Sequence, residues 1–188
     1  WVEARLEGVD ALAVDDRAWV TLAASEGGRA LLVTPGNRFL AQALSMLPDL
    51  ALSQAASLAD GAEAADYAVI VADGPLTATL PSANLWLIAP DEVSLCGEAG
   101  AVVAPTVSVR GQWSHPLLSY VDWADVHVSS ARAYTLPADA DVLLETATGP
   151  LLWTVERPGQ RVACMAFDLR DSDLPLRLAF PILAANLM

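Results

Sequence analysis

The chain has 188 residues, enough for one α/β domain with a buried sheet and a small extra β unit. Apolar residues make up 54% and aromatic residues 6%, a composition that suits helices packed closely on a sheet and argues against disorder. The formal charge is −13 and all ten basic residues are Arg, scattered singly, which excludes a nucleic-acid surface and disfavours an anionic membrane surface.

In chain order, Val2, Ala4 and Leu6 alternate with charged residues, the period-two pattern of a half-buried strand. Asp15-Asp16-Arg17 makes a polar turn into a second strand at Ala18 to Leu22, and Ser25-Glu26-Gly27-Gly28 reads as a linker. We therefore place a boundary between a β segment, residues 1–25, and an α/β domain, residues 26–188. The run Arg29 to Val33 suits a central parallel strand, with Thr34-Pro35-Gly36-Asn37 as its turn. Phe39, Leu40, Ala43, Leu44 and Leu47 then recur at helical spacing until Pro48 stops the helix. Leu50 to Leu58, Ala65 to Ala72 and Asn84 to Ala89 supply three more strands, and Asp73-Gly74-Pro75 closes the second of them. Apolar strands joined in this way predict a parallel, doubly wound sheet with right-handed crossovers.

The second half changes character. Ala101 to Val109 is strand-like, and Val142 to Glu145, Pro150 to Val155 and Arg161 to Phe167 form an antiparallel set. Arg157-Pro158-Gly159-Gln160 fits a type II turn, in which Pro fixes φ and Gly accepts a positive φ. Asp171-Ser172-Asp173-Leu174-Pro175 reads as a helix start, and Pro181 predicts a kink or restart. No apolar run approaches the roughly 20 residues of a membrane span, and no signal peptide is visible. Both ends fall inside element-like patterns, so we expect the chain to continue beyond them.

Ligands of open α/β sheets bind outside the carboxyl ends of the strands. Two loops lie there, the first containing Gly36 and Asn37 and the second containing Asp73. The first opens a helix whose N-terminus could hold an anion, but it has neither the dinucleotide pattern nor a P-loop lysine. A plain turn is the first reading and a ligand loop the alternative. Cys96 is the candidate thiol nucleophile, with His115 and His127 as candidate bases. Its surroundings, Ser94 to Gly100, form a polar, glycine-containing loop followed by a strand, which is not a nucleophile elbow. The residues therefore favour an inert loop thiol at Cys96 and a buried strand thiol at Cys164. Two cysteines are too few for a disulfide framework and lack the spacing of a metal site. Asp168-x-x-Asp171-x-Asp173 and Asp122-x-x-Asp125-x-His127 invite a metal reading without matching the calcium-loop pattern. Capping explains the first and a solvated loop the second. Trp113, Trp123 and Trp153 read as core or edge residues in preference to a binding platform.

Several stretches resemble the C-terminal part of bacterial membrane proteins that carry a von Willebrand factor A domain, the group related to aerotolerance (Bat-type) proteins. They are Val9 to Trp19, Leu31 to Leu40, His115-Pro116-Leu117-Leu118 with Val126-His127-Val128, and Ala166 to Leu176. The resemblance implies a glutamine amidotransferase-like, flavodoxin-like parallel sheet with an added antiparallel hairpin, preceded by the tail of a β domain. It also implies a membrane-anchored parent, with this domain outside the cytoplasm. Amidotransferases of this superfamily carry a G-x-C-x-G elbow and a later His-x-Glu pair. Cys96 lacks the glycine two residues before it, and His127 is followed by Val128 and Ser129, so no catalytic residue carries over. The expectation is a non-catalytic interaction domain without a cofactor, whose partners are neighbouring domains and other proteins. A Cys-dependent amidohydrolase using Cys96 with His115 or His127, and a small-ligand module using Gly36, Asn37 and Asp73, are the alternatives.

Overall fold

The structure, a computed structural model, describes residues 2–6, 16–20, 28–58, 66–73, 82–91 and 95–188. β1 (Val2–Arg5) and β2 (Arg17–Val20) pair antiparallel as a separate two-stranded sheet. The alternation at Val2 to Leu6 predicts one buried face, but Leu6 and, on the paired strand, Trp19 are exposed, so that burial is not met at these two positions. The linker residues 25–27, and Val9 to Asp15 of the resemblance, lie outside the described residues.

The main sheet takes shape from four apolar runs. β3 (Arg29–Val33), β4 (Ala51–Ala55), β5 (Val69–Asp73) and β6 (Asn84–Ile88) run parallel, in the order β4-β3-β5-β6. β3, β5 and β6 are buried on both faces, which is why they read as continuous apolar runs with no alternation. Each fully buried Leu or Ile on them contributes about 1.5–3 kcal/mol. α1 (Arg38–Ser45) follows β3 and buries Leu40, Ala43 and Leu44, while Phe39 is half-exposed.

The predicted antiparallel set does not stand apart. β10 (Asp141–Thr146), β11 (Gly149–Arg157) and β12 (Gln160–Met165) extend the same sheet, because β12 lies parallel to β6 on one side and antiparallel to β11 on the other. β8 (Arg110–Gly111) completes an eight-stranded mixed sheet. Gly159 at φ 75° closes the β11–β12 turn, as the Pro-Gly pair predicts.

β7 (Glu98–Val103) pairs antiparallel with β9 (Ala131–Thr135), a strand the sequence reading misses. The strand predicted over 101–109 starts and ends earlier. Gly97, at φ 107°, lets β7 approach β9 so closely that a Cβ there would lie 2.3 Å from the Thr135 carbonyl oxygen. The predicted helix start at Asp171 resolves into two 3₁₀ turns, Leu169–Asp171 and Leu174–Leu176, before α2 (Ala179–Leu187). Pro181 causes no restart, because it sits in the first turn of α2, where its missing N–H would have no partner.

Candidate functional site

The carboxyl edge of the parallel strands is the place to look for chemistry, and the structure gathers one predicted group there. Thr34, just past β3, donates its hydroxyl to Asp73 at the end of β5 (Oγ1 to Oδ2, 3.0 Å). The same hydroxyl accepts from the Gly36 and Asn37 amides at 3.1 and 2.9 Å. Asn37 Oδ1 then accepts from the Phe39 and Leu40 amides and caps α1. Gly36, Asn37 and Asp73 are thus brought together, with Thr34 as the hub that the sequence reading overlooks. Asp73 is only 3% exposed, and Asn37 Nδ2 is buried without a hydrogen-bond partner. The polar groups are turned inward on one another. Gly74 and Pro75, which complete the second loop, lie outside the described residues.

The next strand end carries a backbone outlier. Ala89 follows β6 at φ 44°, a left-handed conformation that costs a non-glycine residue about 1–2 kcal/mol. Its amide donates to the Met165 carbonyl at the end of β12 (2.8 Å), which ties the two strand ends together. A sharp, positive-φ residue at the end of a central strand is where an α/β nucleophile elbow presents its reactive side chain. Here that side chain is a methyl group. Leu87 and Asp91 stand where G-x-C-x-G would have glycines, and Pro90 follows directly. The outlier is legible only from backbone geometry, so no sequence motif marks it.

Several of the described polar groups around this elbow are paired. Tyr134 donates its hydroxyl to the Pro90 carbonyl at 2.6 Å, and burial pushes the phenol up to about 12. Arg132 binds Asp91 at 2.6 Å. After β12, Arg170 binds Asp168 through Nε and Nη2 at 2.9 and 2.5 Å, which holds the Asp168 carboxyl below the usual carboxylate range. The guanidinium is raised in turn, mainly by Asp168, with Asp73 adding to the field. A carboxylate held this way is a poor proton acceptor near neutral pH. Asp173 is also held low, first by the His127 amide that donates to it and then by Arg177. These bonds occupy two of the three carboxylates in the first suggested metal set. Among the described residues, no three His, Cys, Asp or Glu side chains are grouped as a metal site.

The cysteines behave otherwise than the sequence reading expects. Cys96 and Cys164 are joined by a disulfide bond, with Cα atoms 5.9 Å apart, and both are fully buried. The inert loop thiol and the isolated strand thiol are therefore corrected to one cross-link. The physical reason is long-range: the chain leaving β6 folds back over β12, where Trp153 stands opposite Cys164 in the β11–β12 ladder. Trp153 Nε1 donates to the Cys96 carbonyl at 3.1 Å and fixes the same segment. Cys96 carries no free thiol and is partnered by neither histidine. His115 Nδ1 accepts from the Leu117 amide, and its ring lines a cleft of about 350 Å³ at the amino ends of β5, β6 and β12. That end of β6, at Asn84, lies five residues from Ala89, on the order of 17 Å along the strand. His127 is exposed beside Asp173, 3.6 Å from its Oδ2.

No protein-family model and no curated protein matches the chain. Solved structures do match it. Two cytoplasmic proteins from Salmonella typhimurium superpose with TM-scores of 0.61 and 0.63 at 12% and 11% identity, over 85% of this chain and 96% and 97% of theirs. A GMP synthase-like protein from Thermoplasma acidophilum matches with a TM-score of 0.55 at 11% identity, over 85% of this chain and 91% of its own. A ThuA-like protein from Parabacteroides merdae gives 0.53 at 13%, over 85% and 88%. The chain therefore has the glutamine amidotransferase-like α/β fold expected of it. One expectation is overturned. Two neighbours of the same fold are described as cytoplasmic, and no helix among the described residues is long and apolar enough to cross a membrane. A membrane-anchored parent with this domain outside the cytoplasm is not supported.

Proposed function

We propose that the chain is a non-catalytic interaction domain built on a glutamine amidotransferase-like fold. The observation that carries this reading is the elbow itself. Among the described residues, the strand end whose backbone bends as at a nucleophile elbow carries Ala89, whose methyl side chain offers no lone pair. The sulfur that could have substituted is buried in the Cys96–Cys164 bond. The acid nearest in sequence beyond β12, Asp168, is ion-paired to Arg170 and so lacks the basicity to activate an attacking group. Fold alone assigns no activity, so the site has to carry the conclusion. The division into a β segment, residues 1–25, and an α/β domain is part of this proposal. So is a parent chain with a von Willebrand factor A domain, which rests on the sequence stretches alone; a membrane anchor is not part of it.

The test is ammonia release from L-glutamine by the intact protein, compared with a Cys96→Ala/Cys164→Ala double variant. The expected result is the uncatalysed background from both proteins. Turnover in the native protein that disappears in the variant would overturn the reading.

A further inference from the structure

We propose that Trp113 and Asp122 form a recognition pocket for a basic peptide segment of a partner protein, with an Arg or Lys side chain laid on the Trp113 ring and its charge against Asp122. This deepens the interaction-domain reading, on which it rests, by naming the surface and the chemistry of the partner.

The surface begins with a tryptophan that is not in the core. Trp113 is 51% exposed, although an indole of its size gains most from burial. It is nevertheless held in place. Its ring lies against the Gly111 backbone so closely that a Cβ on Gly111 would sit 2.8 Å from two of its carbons. Glycine at 111 thus serves as a seat for the ring and fixes an aromatic face at the surface before any partner arrives. A pocket of about 460 Å³ opens beside it, walled by Trp113, Val121, Asp122 and Trp123 and flanked by Val107, itself 87% exposed.

The polar wall sets the charge of the occupant. Asp122 is exposed, and its Oδ1 accepts from the Ala124 amide. Among the described residues no Arg or His forms an ion pair with it, although Asp91, Asp139, Asp168 and Asp173 are each paired in this way. A cation over an indole face next to an unpaired carboxylate gains from both the ring quadrupole and the charge. The whole-chain charge of −13, with no Lys, draws cations from a distance and repels anionic partners. The shape favours a chain over a small ion. The pocket is open along Val107, so an extended segment can place a basic side chain on Trp113 while its neighbours cover the exposed valine. Apolar area and charge are then used together, as at interface hot spots rich in Trp and Arg.

The experiment follows the six indole N–H signals of the 15N-labelled protein, with Trp113 assigned through Trp113→Phe, during titration with an acetylated Gly-Arg-Gly-Arg-Gly amide at physiological salt. The Trp113 signal is expected to move saturably, and the corresponding Glu peptide is expected to leave it in place. Asp122→Asn keeps the acceptor for Ala124 and removes the charge, so affinity should fall about threefold to tenfold while the other indole signals stay put. Gly111→Ala, which displaces the ring, should weaken binding as well. No saturable shift, an equal response to the Glu peptide, or full affinity in Asp122→Asn would overturn the proposal. Tetramethylammonium chloride moving Trp113 as strongly as the peptide at equal concentration would replace the peptide partner with a small organic cation. Failure of any of these leaves the ammonia-release result untouched, so loss of this pocket and loss of the non-catalytic reading are separately visible.

Discussion

At the residue scale, the elbow is defined by what each side chain is unable to do. Ala89 adopts a backbone conformation that only the surrounding structure sustains, and two bonds at its flanks sustain it: its own amide to Met165, and the Tyr134 hydroxyl to the Pro90 carbonyl. Tyr134 also packs on Trp153, with ring centroids 4.9 Å apart, so its phenol sits in a largely apolar setting. The raised phenol gives a prediction with a definite sign. The folded protein holds this group neutral up to about 12, whereas the unfolded chain releases the proton near 10. The stability it contributes is therefore complete below about pH 10 and is lost as the pH rises through the folded value. Denaturant midpoints measured between pH 9 and 12 should fall more steeply for the native protein than for Tyr134→Phe. Parallel curves would remove Tyr134 from the alkaline response.

At the scale of elements, the sequence was informative where a single run decides the outcome. β3, β5 and β6 are short apolar runs buried on both faces, and the helical spacing of Phe39, Leu40, Ala43, Leu44 and Leu47 before Pro48 places α1 within a residue or two. Elements that depend on distant partners were not legible. β9 is polar along much of its length and becomes a strand because β7 lies beside it, which Gly97 permits. The Thr34–Asp73 bond spans 39 residues, and Gly36, Asn37 and Asp73 were readable as loop residues but not as one network. The disulfide spans 68 residues and cannot be deduced from two cysteines in unlike contexts. Closing a loop of that length restricts the unfolded chain, so Cys96→Ala/Cys164→Ala should lower unfolding stability by about 2–5 kcal/mol. Urea unfolding under non-reducing conditions measures it, and an unchanged midpoint would contradict a cross-link in the native protein.

At the scale of the whole molecule, one continuous sheet joins a parallel half to an antiparallel half through β12, and described polar groups at its strand ends bind one another. Thr34 and Asp73 satisfy each other, Asp168 is held by Arg170, and the sulfurs hold one another. An exposed aromatic ring and an exposed carboxylate line one pocket elsewhere, at Trp113 and Asp122. Among the described residues, most of the polar groups at these strand ends pair with one another, although Asn37 Nδ2 is left without a partner, and the Trp113 flank is open, an arrangement that supports the interaction role proposed above. The measurement that tests this most directly is the intact mass of the native, unreduced protein after prolonged treatment with iodoacetamide. The account predicts no adduct, and two adducts only after unfolding with reductant. A rapid single alkylation at Cys96 in the folded protein would reveal an available thiol and contradict the non-catalytic reading.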